Sequence, residues 1–345
     1  MCVSLAKECY DVHLICFGNE ESLVKNNVNI HYVHQKYKNK FLRILFNNRI
    51  LIKNALNLNA EIYHIHDPEL LLHATKLKLS NKVVIYDSHE DVPSDILDKN
   101  WIGPRPFRII VSLIFNVFEK AVSKKLDGVI SVSDPITSKF FNSNKVTIHN
   151  YPLINQFIQP RSSKKKSRIR IIYSGGLSSV RGIKEIIDSL HYQKNEIVLY
   201  LAGSWESYEY ETFCKSSNGW KNVFYLGLLS PEKNIKVMSK CDIGIINYHP
   251  IANHIHCLPN KIYEYFAAGL VVQMSNIDYW KKEFTDLGFF HESDNPKTIA
   301  HTTNEICNNL LQCEGVQKRA LEYVKVKSWE NEFNKLNNFY NSFFS

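Results

Sequence analysis

The sequence predicts an α/β chain built as two doubly wound domains, each a parallel sheet with helices on both faces. Short β-branched, apolar runs alternate with longer helical stretches along the whole chain. A segment at 152–168, rich in Pro, Ser, Gln and Lys, divides this alternation into two similar halves. At 345 residues and 44% hydrophobic, the chain is long enough for two cores. Two such sheets are expected to face each other across a cleft and to bind ligands at the C-terminal ends of their strands.

In the first half a helix at 2–8 leads straight into a strand at 12–17. The strand and turn that normally open such a half are absent. Further strands are expected at 62–65, 83–86, 128–132 and 146–149, with helices at 40–59, 68–79 and 107–124. Asp67 and Pro68 fit N-cap and N1 of the second of these helices, and Glu69 sits in its first turn, where the dipole favours it. Asp134-Pro135 repeats the pattern. In the second half strands are expected at 169–173, 197–202, 223–226, 243–246 and 270–272, and helices at 182–192 and 231–240. The stretch Leu258 to Gly269 reads as a helix with Asn260 as N-cap and with Lys261 and Glu264 on its first turn. The domains are therefore placed at 1–155 and 169–327, with a final helix at 328–345.

Composition narrows the function. No apolar run is long enough to cross a bilayer; the best, at 109–118, is broken by Ser112 and Asn116. The start is not basic-then-apolar like a signal peptide. The eight cysteines have neither metal-site nor disulfide spacing and read as reduced core residues, so a cytoplasmic location is expected. The net charge of +8 is clustered. Lys36, Lys38, Lys40, Arg43, Arg49 and Lys53 interleave with aromatic and aliphatic residues, which suits an anionic membrane face, a phosphorylated substrate or an ordinary solvated helix. Lys164, Lys165, Lys166, Arg168 and Arg170 read as linker. No nucleic-acid-binding module accompanies the charge, so nucleic acid is not expected as a partner.

The chemistry gathers at strand exits. A helix N-terminus offers unpaired N–H groups and partial positive charge, which suits a diphosphate; Glu264, one turn in, is placed for ribose hydroxyls. An ordinary capped core helix would look the same in isolation. Earlier exits carry glycine: Ser174-Gly175-Gly176-Leu177, Ala202-Gly203 and Leu226-Gly227. These let backbone approach a ligand closely, and Arg181 can pair with phosphate. In the first half, Tyr86-Asp87-Ser88-His89-Glu90-Asp91 puts a dense polar group at one strand exit, with His89 as its neutral-pH proton carrier.

Taken in order, these residues resemble family 4 glycosyltransferases, retaining enzymes of the GT-B fold. The resemblance runs through His64-Ile65-His66-Asp67-Pro68-Glu69, Tyr86 to Asp91, Ile130 to Ser133 and Asn150-Tyr151-Pro152. It continues through Ser174 to Leu177 with Arg181-Gly182, Leu201-Ala202-Gly203, Tyr225-Leu226-Gly227 with Pro231-Glu232, and Cys241 to Ile245. It closes on Pro259-Asn260-Lys261 with Glu264-Tyr265 and Ala268-Gly269. It implies two Rossmann-like domains and a final helix that crosses back to the first. Glu264 would bind the donor ribose and Arg181 the diphosphate, with Lys261 as a further phosphate partner and Gly175, Gly176, Gly203 and Asn260 lining the donor site. His89 would lie near the transferred sugar or the acceptor, and Asp67, Asp87 and Glu90 on the acceptor side; His89, Arg181 and Glu264 are the residues expected to carry catalysis. His256 stands where the family usually has the first of two glutamates eight positions apart. A basic residue common at position 176 is missing, as is the opening strand with its glycine-bearing loop.

The implied activity is retaining transfer from a nucleotide-diphosphate sugar to a saccharide or lipid-linked saccharide in surface polysaccharide assembly, with no cofactor and no metal. A nucleotide-sugar epimerase on the same architecture, or a non-catalytic partner subunit, are the other readings.

Overall fold

The computed structural model describes residues 1–37, 39, 42, 46–78, 81–157, 168–255 and 257–344, without the side chains of 100, 252–253 and 310–312. The chain divides into two compact units, one of residues 1–150 with 332–345 and the other of residues 151–331.

Among its described residues the first unit has seven strands: β1 (Val12–Phe17), β2 (Leu23–Lys25), β3 (Val28–Val33), β4 (Ile62–Ile65), β5 (Val83–Ser88), β6 (Gly128–Ser131) and β7 (Lys145–Thr147). They form two sheets rather than one. β1 pairs with β3 in parallel and β2 with β3 antiparallel, whereas β4-β5-β6-β7 is all parallel. β1 and β4 are thus both edge strands among the described residues. The four-stranded sheet buries Tyr63, Ile65, Val84, Tyr86 and Val129 against Leu71, Ala74 and Leu77 of one helix and Ile52 and Ala55 of another. That second helix spans Asn48–Asn57, within the expected 40–59, and Phe46 and Asn47 ahead of it are π-helical. The buried Asn47 amide exchanges hydrogen bonds with the backbone of Tyr37. Positions 38, 40 and 43 of the basic cluster lie outside the described residues. Arg49 and Lys53 lie on the exposed side of an ordinary core helix.

The helix Arg105–Ser123 packs the wrong way round. Its buried residues are Ser112, Glu119 and Ser123, tied inward by Ser112 Oγ donating to Pro93 O (2.6 Å) and by Tyr86 donating to Glu119 (2.7 Å). Its solvent side carries Phe107, Ile110, Leu113, Ile114 and Val117, each at least half exposed (50–67%). The Asp-Pro cap expected at 134 is also revised. Ser133 occupies the N-cap without a side-chain bond, and the Asp134 carboxylate instead accepts from Thr147 Oγ1 at 2.6 Å.

The second unit is one six-stranded parallel sheet in the order β10-β9-β8-β11-β12-β13, from β8 (Ile169–Ser174), β9 (Ile197–Ala202), β10 (Val223–Gly227), β11 (Ile243–Ile246), β12 (Val271–Ser275) and β13 (Phe289–His291). The period of two sorts its side chains onto two faces. Ile171, Tyr173, Leu199, Leu201, Ile243 and Ile245 pack with Ile183, Ile186 and Ile187 of the helix Ile183–Ser189. Ile172 and Ile246 pack on the other side with Ile262, Tyr265 and Phe266 of the helix Asn260–Ala267. Gly244 is required there, because a Cβ would lie 2.4 Å from the Tyr265 ring. The N-cap of that helix is Pro259, not Asn260, and no side chain caps it. Pro259 sits in extended backbone with ψ 130° and Asn260 is already helical, so the chain turns helical one residue earlier than an Asn260 cap requires.

Candidate functional site

The order of the second sheet reverses between β8 and β11, since β9 and β10 extend one way and β12 and β13 the other. A doubly wound sheet opens its ligand crevice at such a point, beyond the strand C-termini. The residues that follow β8 and β11 are Gly175-Gly176 and Asn247-Tyr248. Arg181 joins them: its guanidinium lies 5.3 Å from the Tyr248 ring centroid, and its Nη1 is 3.5 Å from the Gly176 carbonyl. A Cβ on Gly176 would come within 2.9 Å of that Nη1. The missing basic side chain at 176 therefore leaves no hole, because Arg181 takes up the space.

The loops around Arg181 are fixed by backbone contacts. Gly175 N–H donates to Ala202 O (3.0 Å), Gly203 N–H to Gly227 O (2.8 Å) and Leu177 N–H to Ser204 O (2.9 Å). Gly203, at φ +146°, lies so close to Gly175 that an added Cβ would meet the Gly175 carbonyl at 1.7 Å. The Tyr265 hydroxyl accepts from Ser174 N–H at 3.0 Å, hooking the helix Asn260–Ala267 to the exit of β8; burial pushes that phenol well above its ordinary pKa.

Asn247, fully buried, had no distinguishing signal in the sequence yet holds three loops. Its amide donates to Gly182 O and Ser293 O, both at 3.0 Å, and its carbonyl accepts from His291 Nε2 at 3.0 Å. Burial drives the His291 pKa down to about 3, so the ring is neutral.

On the helix Asn260–Ala267, Lys261 Nζ and Glu264 Oε2 form an ion pair at 2.6 Å, with both side chains about a quarter exposed (28% and 24%). Asn260 is exposed at the helix start, where first-turn N–H groups have no intrahelical partner. His256 lies outside the described residues. Its neighbour His254 stacks on Tyr248 at 4.6 Å and hydrogen-bonds His249 O at 2.9 Å. Burial lowers the His254 pKa.

In the first unit, register assembles a second cluster. β4 pairs with β5 so that His64 lies beside Ile85 and Ile65 beside Tyr86, which carries His66 next to Asp87. With 64 opposite 85, the period of two puts His64 and Asp87 on one side of the sheet, and His66 and His89, just past the strand ends, continue that side. His64 Nε2, His66 Nδ1 and His89 Nε2 lie 3.1, 3.3 and 3.4 Å from the same oxygen, Asp87 Oδ2. The rings of 64, 66 and 89 stack in series, 4.3 and 5.3 Å between centroids. Tyr340, on the helix Trp329–Asn341, hydrogen-bonds His64 Nδ1. Burial alone would raise the Asp87 pKa, but hydrogen bonds from His64 and His66 outweigh it and hold the carboxyl far below its usual range. Burial lowers the His64 pKa.

His89 and Asp87 are thus brought together, and His64 and His66 join them; their i, i+2 spacing is legible, but their partner strand is not. Asp67 does not join. Its Oδ1 accepts from Glu69 N–H at 2.8 Å and caps the single turn Pro68–Leu70. Glu90 interacts instead with Asp95, whose carboxyl rises to about 6 through burial and then the nearby Glu90.

Residues 155–322 match the family model for glycosyl transferases group 1. No curated protein matches the chain by sequence. Among solved structures, the chain is similar to sucrose-phosphate synthase from Thermosynechococcus elongatus (13% identity, 99% of this chain and 91% of that one, TM-score 0.76). It is also similar to a glycosyltransferase from Rickettsia africae (16% identity, 100% and 93%, TM-score 0.75). A third likeness is to HepE from Anabaena in complex with UDP and glucose (13% identity, 99% and 94%, TM-score 0.71). The fold is that of GT-B glycosyltransferases, and residues 155–322 form a glycosyl transferases group 1 domain, which makes the chain an enzyme of the glycosyltransferase class.

Proposed function

We propose, from the glycosyl transferases group 1 domain at 155–322, that this chain moves a sugar from a nucleoside-diphosphate sugar to a saccharide or lipid-linked saccharide in surface polysaccharide assembly. The observation that carries the reading is Arg181, held at the reversal point of the second sheet between the Gly176 carbonyl and the Tyr248 face. A cation so fixed meets the charge that grows on a departing diphosphate without reorganising during the reaction. The helix start at Asn260 and the Lys261 ammonium add positive potential, and Glu264 accepts from the ribose hydroxyls while Lys261 holds its carboxylate in place. The similar HepE forms a complex with UDP and glucose, which supports a uridine donor. With retention, the acceptor hydroxyl attacks on the face the diphosphate leaves, its proton passing to the departing phosphate oxygen. His89, beside Asp87, serves the acceptor side.

A donor screen with product analysis tests this reading. Sugar transfer, or slow donor hydrolysis without acceptor, is expected from the intact chain and falls at least tenfold in Glu264→Ala. An epimerised nucleotide sugar formed without acceptor would instead identify an epimerase, and a folded chain inert toward every donor would identify a non-catalytic subunit.

The lipid-linked acceptor is favoured by the helix Arg105–Ser123 rather than by segment 36–53. Five large apolar side chains face solvent along it, with Arg105 at one end and Lys120, Lys124 and Lys125 at the other. An apolar stripe flanked by cations suits the surface of an anionic bilayer. No helix among the described residues is long and apolar enough to cross a membrane. Ile114→Glu with Val117→Glu is expected to abolish sedimentation with anionic vesicles at unchanged stability; unchanged sedimentation rules this surface out.

A further inference from the structure

The cluster at the ends of β4 and β5 gathers more donor atoms than one carboxylate needs. Around Asp87 Oδ2 stand three imidazole nitrogens at 3.1–3.4 Å, and two of them, His66 Nδ1 and His89 Nε2, are 3.0 Å from each other. Zinc binds imidazole nitrogen and carboxylate oxygen at about 2.0–2.2 Å, so the donors of a tetrahedral site stand about 3.3–3.5 Å apart. Separations of 3.0–3.4 Å are already close to that figure. His64 Nε2, His66 Nδ1 and an Asp87 oxygen all lie within 4.8 Å of one another.

Two further features fit a metal. The Asp87 side chain is 2% exposed, yet its Oδ1 has no hydrogen-bond partner among the described residues, so the protein contacts leave half of the carboxylate unused. Tyr340 engages His64 Nδ1; with a metal on Nε2 its hydroxyl is placed to accept from Nδ1–H, the contact that orients a metal-bound imidazole. The strands supply the rigidity, because all four residues follow from one parallel register.

We propose that the first unit binds one Zn²⁺ ion through His64 Nε2, His66 Nδ1 and the Asp87 carboxylate, with His89 Nε2 as the fourth donor. Mixed imidazole and carboxylate donors select zinc over magnesium or calcium, which prefer oxygen alone. This departs from the sequence expectation of no metal. It stands independently of the donor site, which belongs to the other unit.

The test is calorimetric titration of the full chain, stripped with chelator and dialysed, with zinc chloride, alongside the visible spectrum of the Co²⁺-loaded protein. One saturable site per chain and tetrahedral Co²⁺ bands are expected. His66→Ala and His89→Ala, both at partly exposed positions (41% and 47%), each weaken Zn²⁺ binding at least tenfold while circular dichroism stays unchanged. His301→Ala, on an exposed side chain (73%) of the second unit, leaves it unaltered. Absence of saturable binding by the folded chain, or an affinity indifferent to both His66→Ala and His89→Ala, overturns the assignment. Since no nucleotide or sugar enters the assay, its outcome is separate from that of the donor screen.

Discussion

Two glycines at the proposed donor site predict opposite phenotypes for the same Gly→Ala change. At Gly203 the new methyl would meet the Gly175 carbonyl oxygen at 1.7 Å, in backbone at φ +146° that alanine avoids. Strain of that kind costs about 1–3 kcal/mol. Separating the two loops also weakens the bonds from Gly175 N–H to Ala202 O and from Gly203 N–H to Gly227 O, at about 1 kcal/mol each. The sum is roughly 3–5 kcal/mol, or a Tm fall of about 10 °C for a unit of this size. At Gly176 the methyl meets only the mobile end of Arg181, at 2.9 Å. The side chain can swing away, so the Tm should move by no more than about 2 °C. But the guanidinium then leaves Tyr248, and its charge-assisted contact to the diphosphate, about 1.5–3 kcal/mol, is weakened. The expected loss in kcat/KM is about ten- to a hundredfold. Differential scanning fluorimetry paired with steady-state kinetics reads both. Full activity in Gly176→Ala, or activity lost there only in step with stability, would refute the role given to Arg181.

Other predictions concern what holds the site together. His291 is buried and neutral with a pKa near 3, so folding disfavours its protonation. That stability is complete above the unfolded value of about 6.5 and is lost as pH falls, by roughly 2 kcal/mol at pH 5. The Tm drop between pH 7 and pH 5 should shrink in His291→Gln, and equal drops in both proteins would contradict the assignment. Tyr265→Phe leaves the Ser174 N–H, buried at the exit of β8, without its acceptor; a cost of about 1–3 kcal/mol in urea unfolding is expected, and none would mean water replaces the hydroxyl. Tyr340→Phe should weaken Zn²⁺ binding by about tenfold, as loss of a contact behind a metal ligand does; calorimetry showing wild-type affinity would remove Tyr340 from the site.

Much of this architecture is written locally. β4, β9 and β11 fall where their short apolar runs end, and the glycine-marked exits of β8, β9 and β10 line the second sheet as expected. β3 is weaker in the sequence because His31 and Asn29 interrupt it, and β13 is only three residues long. What resists local reading is set by partners distant in the chain. The buried Asn47 amide finds its partner in the Tyr37 backbone, which no local pattern announces. His64 and His66 gain their meaning only from the register of β4 on β5. Asn247 looks like any polar residue after a strand until three loops converge on it. The helix Arg105–Ser123 misleads most: an apolar stripe normally points to the core, and here Glu119 and Ser112 face inward because Tyr86 and Pro93 supply their partners.

The central claim is that the second unit holds a nucleoside diphosphate through Arg181. Calorimetric titration of the full chain with UDP, GDP and ADP tests it most directly. Saturable binding of at least one of them is expected, weakened at least tenfold in Arg181→Ala, which removes a charge-assisted contact of about 1.5–3 kcal/mol. A folded wild-type chain that binds none of the three, or an affinity unchanged in Arg181→Ala, would contradict it.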